Sequence, residues 1–127
     1  GCPGVEARLP VLYTLGVAEG RLSLERFTEV FSTWPARIFG FGDRKGRIER
    51  GYDADLVVID TEQSRVMDAS CHYGDIGYTP FEGMELVGWP VLTVYRGQIV
   101  VRDGQFLGKT GQGRYLHRAA SDMPGIE

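Results

Sequence analysis

The most constraining feature of this chain is a single change of hydrophobic period near Gly40, from helical before it to extended after it. Val5, Leu9, Leu12 and Gly16 follow spacings of 4, 3 and 4, so they share one helical face. Pro3 and Gly4 form the entry to this helix, and Gly16 and Gly20 are its expected stop. A second helix opens at Ser23, a good N-cap residue, with Glu25 in its first turn and a stripe of Leu24, Phe27, Val30 and Phe31. Trp34-Pro35 through Gly40 reads as a short third helix, with Pro in its first turn and Gly as its stop.

After Gly40 the pattern is that of strands. Residues 46–51 form a short extended piece between glycines. Asp55–Asp60 is a continuous β-branched apolar run, expected to be a buried strand, and Arg65–Asp68 a further short one. Residues 70–88 read as a long loop. Val91–Tyr95 and Gln98–Val101 flank Arg96-Gly97 as a β-hairpin, and Asp103-Gly104 is a second turn leading to Gln105-Phe106-Leu107. From Gly108 the chain is a polar, Gly-rich tail.

Helices followed by strands are not the alternation of a self-contained α/β unit. With 127 residues the chain is too short for an eight-stranded α/β barrel, which takes roughly 200 or more. Its 18 glycines, about twice the usual share of roughly 7%, favour turns over a helical bundle. The expectation is an α+β piece of a larger fold. The sequence starts at Gly1 rather than Met, which leaves processing or a longer parent open.

Composition excludes several functions. No run of five or six Lys/Arg exists, so a nucleic-acid arm is not expected. No apolar stretch approaches the roughly 18 residues needed to cross a membrane. No signal peptide opens the sequence, and the expected location is cytoplasmic, with Cys2 and Cys71 as free thiols. Residues 53–95 carry eight acids against one arginine, while the flanking segments are net positive; this charge asymmetry could be complementary within a chain or between subunits. His72 with Cys71 and Asp75 fits no common zinc spacing, and His117 beside Arg118 reads as basic surface. Gly108-Lys109-Thr110 is not a phosphate loop, because position 103, where that pattern needs Gly, is Asp.

Residues 46–60, Gly46-Arg47-Ile48-Glu49-Arg50-Gly51-Tyr52-Asp53-Ala54-Asp55-Leu56-Val57-Val58-Ile59-Asp60, resemble the G-x-I-x-x-G-x-x-A-D-L-V-V-x-D signature of the amidohydrolase superfamily. Gly1–Pro10 resembles the G-x-P-G-x-E-x-R-L-P stretch at the end of that family's barrel. Pro80–Pro90 is similar to the P-F-E-G-M-E-x-x-G-W-P segment of dihydropyrimidinases and hydantoinases. Val101–Phe106, with Gly108-Lys109 and Gly113–Leu116, resembles their C-terminal tail. Dihydroorotases match the Glu-Gly-Met-Glu and Gly-Trp-Pro stretches less well. One departure is Trp34-Pro35, where the family commonly has Asn-Pro; Ser32 or Thr33 would have to cap that helix.

The resemblance implies the last helices of a metal-dependent barrel over residues 1–45, the C-terminal half of a small β-sandwich over 46–107, and an assembly tail over 108–127. It implies hydrolysis of a cyclic amide by an enzyme with two metals, usually zinc. The family's ligands are histidines, a carboxylated lysine and an aspartate on earlier barrel strands, so no metal ligand, cofactor site or catalytic residue carries over to this chain. Gly1, Cys2, Pro3 and Gly4 are expected beside the substrate, through backbone. Phe81, Met84, Trp89, Arg114, Tyr115 and Leu116 are candidates for assembly contacts. The expected partners are the rest of a barrel or another copy of the chain, as a homo-oligomer. A stand-alone oligomerisation or scaffold module and a dihydroorotase-type piece are the alternatives. The chain by itself is expected to be inactive.

Overall fold

The structure, a computed structural model, describes residues 3–121. It is α+β. Three short α-helical segments, α1 (Arg8–Leu12), α2 (Leu24–Thr28) and α3 (Trp34–Ile38), precede four strands, β1 (Leu56–Val66), β2 (Glu85–Tyr95), β3 (Gln98–Arg102) and β4 (Gln105–Phe106). The strands form one sheet in the order β1-β2-β3-β4. Bonds flanking β1 and β2 set their sense. Gly97 N–H reaches Ala54 O at 2.9 Å, and Met67 N–H reaches Met84 O at 2.8 Å. Residue numbers rise along one strand as they fall along the other, which is antiparallel pairing. The described residues divide into two compact units, one running to Ser23 with Ile59–Pro90, the other Leu24–Val58 with Val91 onward.

In the first unit α1 runs into a π-helical turn, Tyr13–Ala18. Thr14 is the visible cause. Its hydroxyl donates to Pro10 O at 2.7 Å and accepts from Val87 N–H at 2.9 Å. A side chain that takes the carbonyl four residues back loosens the α ladder there. The helical course therefore passes through Gly16, which the sequence suggests as a stop; Gly16 is buried, and a Cβ there would crowd Leu22 Cδ1 at 2.9 Å. Gly20, at φ 71°, follows the helical run instead. The buried face is Leu9, Tyr13 and Gly16. Val5, expected on that face, precedes the helix and is 84% exposed.

The core of this unit is Ala7, Met67, Leu86 and Trp89, with Val11, Cys71, Phe81 and Met84 packed on it. Strand β2 begins at Glu85, inside the stretch the sequence suggests is loop. The strand runs through Gly88-Trp89-Pro90 without interruption. Gly88 sits at φ 81° against the Tyr13 ring, where a Cβ would lie 2.2 Å from Cδ1. Only glycine meets both conditions.

In the second unit α2, a π-helical turn at Glu29–Thr33 and α3 follow without a break, where the sequence suggests two separate helices. The capping role expected of Ser32 or Thr33 is not needed. Thr33 is itself helical, and its hydroxyl donates to Gly46 O at 2.9 Å. Of the expected stripe only Phe27 is buried, stacked on Phe31 at 5.6 Å; Leu24 and Val30 are exposed. Gly40, at φ 74°, ends α3 in a Schellman arrangement: its N–H reaches Arg37 O and that of Phe41 reaches Ala36 O.

Residues 46–51 are turns, not a strand. The two strands expected at 55–60 and 65–68 are one, the eleven-residue β1, and its Val57, Val58 and Val66 are exposed rather than buried. Both turns match expectation. Arg96-Gly97 (φ 50° and 79°) and Asp103-Gly104 (φ 48° and 76°) are two-residue loops with positive φ at both positions, the type that suits a twisted hairpin. The tail is tied down at the end of α3, where Ala119 N–H bonds to Gly40 O at 2.9 Å.

Candidate functional site

Two of the four expected substrate-loop residues, Pro3 and Gly4, line a pocket of about 220 Å³ with Val5, Glu6, His72 and Tyr78 among its other walls. Gly1 and Cys2 lie outside the described residues. Glu6 fixes this corner. Its Oε2 accepts the Tyr73 N–H at 2.8 Å and lies 4.0 Å from His72 Nδ1. The entry into α1 is thereby tied to the loop after Met67. The His72 side chain is 5% exposed, and its Nε2 is buried without a hydrogen-bond partner. His72 lies in the stretch expected to be loop, and Glu6 sits in the Gly-x-Pro-Gly-x-Glu stretch, where nothing local signals its tie to Tyr73.

Among the described residues no group of three or more His, Cys, Asp or Glu side chains is placed to hold a metal ion. His72 and Glu6 make one histidine and one carboxylate 4.0 Å apart, and that carboxylate already accepts a backbone N–H. A zinc site needs three or four converging donors. The residues present do not fit a metal.

The assembly candidates separate into two groups. Trp89 is an interior residue, 7% exposed: its Nε1 donates to Leu86 O at 2.8 Å and Arg65 lies over its ring at 5.1 Å. Phe81 and Met84 pack on the same core. Burial of this kind fits coverage of the chain's own interior. Tyr115 is 83% exposed with its ring edge-on to His117, Arg114 is exposed, and Leu116 is half-buried.

The 46–60 signature has a structural meaning that its pattern does not announce. Gly46, at φ 87°, has no room for a Cβ between Ala36 Cβ (2.7 Å) and Ser32 O (2.9 Å). Asp53 accepts two bonds from the Arg44 guanidinium at 3.0 Å and pairs with Lys45. These hydrogen bonds, first from Arg44 and then from Lys45, hold the Asp53 carboxyl down to about 2. Asp55 pairs with Lys45 and also accepts the Arg96 N–H at 2.7 Å, so it closes the hairpin turn. The signature is a set of ties for the start of β1.

Fold and signature together define a class, and comparison with known proteins agrees. The model of the amidohydrolase family matches residues 12–101, and the chain belongs to that family. It is 45% identical over 119 residues to the D-hydantoinase of Geobacillus stearothermophilus, covering 94% of this chain and 25% of that enzyme. Among solved structures, D-hydantoinase (dihydropyrimidinase) from Thermus sp. superposes with a TM-score of 0.90 at 42% identity, over 95% of this chain and 26% of that one. L-hydantoinase (dihydropyrimidinase) from Arthrobacter aurescens does so with a TM-score of 0.81 at 43% identity, over 86% and 24%. The chain thus spans about a quarter of the length of the relatives it matches.

Proposed function

We propose that these 127 residues act as the C-terminal part of a metal-dependent cyclic amidohydrolase that opens the C–N bond of a dihydropyrimidine or hydantoin ring. The observation that carries this reading is the 45% identity to a D-hydantoinase over 94% of the chain. In this reading residues 1–45 are the last helices of the barrel, 46–107 the C-terminal half of a β-sandwich, and 108–127 an assembly tail. Zinc, as the implied metal pair, would be held by residues outside this chain and would supply the hydrolytic chemistry there. The chain's own part is positional: Glu6 anchors the segment carrying Gly1–Gly4, whose backbone borders the ring. The full enzyme works as a cytoplasmic homo-oligomer, with Arg114, Tyr115 and Leu116 at subunit contacts.

The test is activity by complementation. The chain alone with added zinc is expected not to hydrolyse dihydrouracil or hydantoin, and a chain bearing the barrel strands is expected to gain turnover when the two are mixed. Metal-dependent hydrolysis by the 127-residue chain alone would overturn the assignment of roles.

A second reading, a non-catalytic oligomerisation module, draws on the exposed valines of β1. It requires self-association and no effect on any barrel chain's activity.

A further inference from the structure

A pocket of about 340 Å³ lies where the first hairpin turn meets the tail, lined by Tyr95, Arg96, Gln98, Gly111, Gln112 and Arg114. None of the six is acidic. Among the described residues neither arginine has an ion-pair partner. Asp55 meets the Arg96 backbone, but its carboxylate is already paired with Lys45 and does not line the pocket.

The glutamines sharpen the character of the pocket. Gln112 Oε1 accepts the Lys109 N–H at 3.0 Å, which closes the tail turn. Gln112 Nε2 donates to Gln98 Oε1 at 2.9 Å, which ties that turn to β3. Each amide oxygen thus already accepts one bond. The two amides offer three further N–H hydrogens, both of Gln98 Nε2 and the second of Gln112 Nε2. The same amide pair brings the Arg114 segment to the Arg96 turn. Two guanidinium groups and surplus amide donors, with no carboxylate among them, complement an oxyanion.

We propose that this pocket binds a small oxyanion, the carboxylate or phosphate group of a ligand, through Arg96 and Arg114 with Gln98 and Gln112 as neutral donors. The proposal uses no catalytic step of the amidohydrolase reading, and it gives Arg114 a ligand in the isolated chain where that reading gives it a subunit contact.

The test is a titration of the 127-residue chain with inorganic phosphate and, separately, succinate, at constant ionic strength made up with chloride. The readout is the side-chain amide resonances of Gln98 and Gln112. Saturable shifts are expected, and Arg96→Gln or Arg114→Gln each weakens binding about tenfold, the loss of one charge-assisted contact. Saturation by phosphate alone identifies a phosphate-bearing ligand, and by succinate a carboxylate; either supports the site. Shifts no different from those with chloride, seen in the unaltered chain, overturn it without any variant having to fold. So does a folded double variant, its Val94 and Ile99 resonances in place, that binds as the unaltered chain does.

Discussion

At the residue scale, most of what matters here is done by glycines and carboxylates whose roles come from distant neighbours. Gly88 is the sharpest case. A Cβ there would strike the Tyr13 ring at 2.2 Å, on a backbone at φ 81° that side chains resist. Gly88→Ala is expected to destabilise the chain by about 2–5 kcal/mol, the sum of left-handed strain and overpacking, read by chemical denaturation. A loss below about 1 kcal/mol would mean that Tyr13 can simply turn aside. Asp53 gives a second prediction. Its carboxyl is held at about 2 against an ordinary 3.8 by Arg44 and Lys45, so the folded state binds its proton less readily than the unfolded chain. The stabilisation is complete above about 3.8 and is lost as pH falls toward 2. Asp53→Asn should lower stability at pH 7 and flatten the decline between pH 4 and 2. An unchanged acid profile in that variant would show that the Arg44 pair contributes nothing measurable. Neither role was legible locally: the sequence shows a glycine before Trp-Pro, not the ring it passes, and an aspartate in a signature, not the cations it meets.

At the element scale, legibility followed how local the determinants are. Both hairpin turns were readable because a two-residue loop with Gly second is fixed by its own dihedral needs. The helical run from Leu24 to Ile38 is one where the sequence suggests two helices, because Trp34-Pro35 resembles a helix start. Pro does belong in the first turn of α3, but the π turn before it supplies the preceding residues already in helical conformation. The expected apolar stripe failed for another reason: periodicity names the residues able to be buried, and only packing partners decide that Phe27 is and Leu24 is not. The first hairpin gives a prediction at this scale. Arg96 occupies a left-handed position, φ 50°, that Asn tolerates better. Arg96→Asn should raise stability by roughly 0.5–1 kcal/mol in thermal melts while removing a donor from the oxyanion pocket. Opposite signs for stability and anion affinity in one variant would separate the architectural role of the turn from its binding role. A variant that loses both would show that the Arg96 side chain supports the hairpin itself.

At the scale of the whole molecule, the informative mismatch is between how apolar β1 is and how little of it is buried. A continuous β-branched run reads as a core strand, and the strand forms, yet Val57, Val58 and Val66 remain exposed. Val57 and Val58 are adjacent and so point to opposite faces, which leaves apolar surface on both sides of the sheet near the start of β1. β1 is also terminal in the sheet order, so among the described residues no strand lies beside its outer backbone groups. An edge strand that opens on the apolar run Leu56–Ile59, with side chains on each face, is a surface that natural proteins normally cover, charge or shorten. The chain in solution is therefore expected to self-associate through β1. Sedimentation velocity across a hundredfold concentration range should show a concentration-dependent mass. Val58→Lys, which places charge on one face without altering the β1–β2 pairing, should shift the distribution toward monomer. Val57→Lys tests the opposite face, and a stronger effect from one than the other would identify which face is covered. A chain that stays monomeric throughout, with its fold intact, would show that the β1 edge is protected by its own residues and would remove the sheet as the seat of assembly.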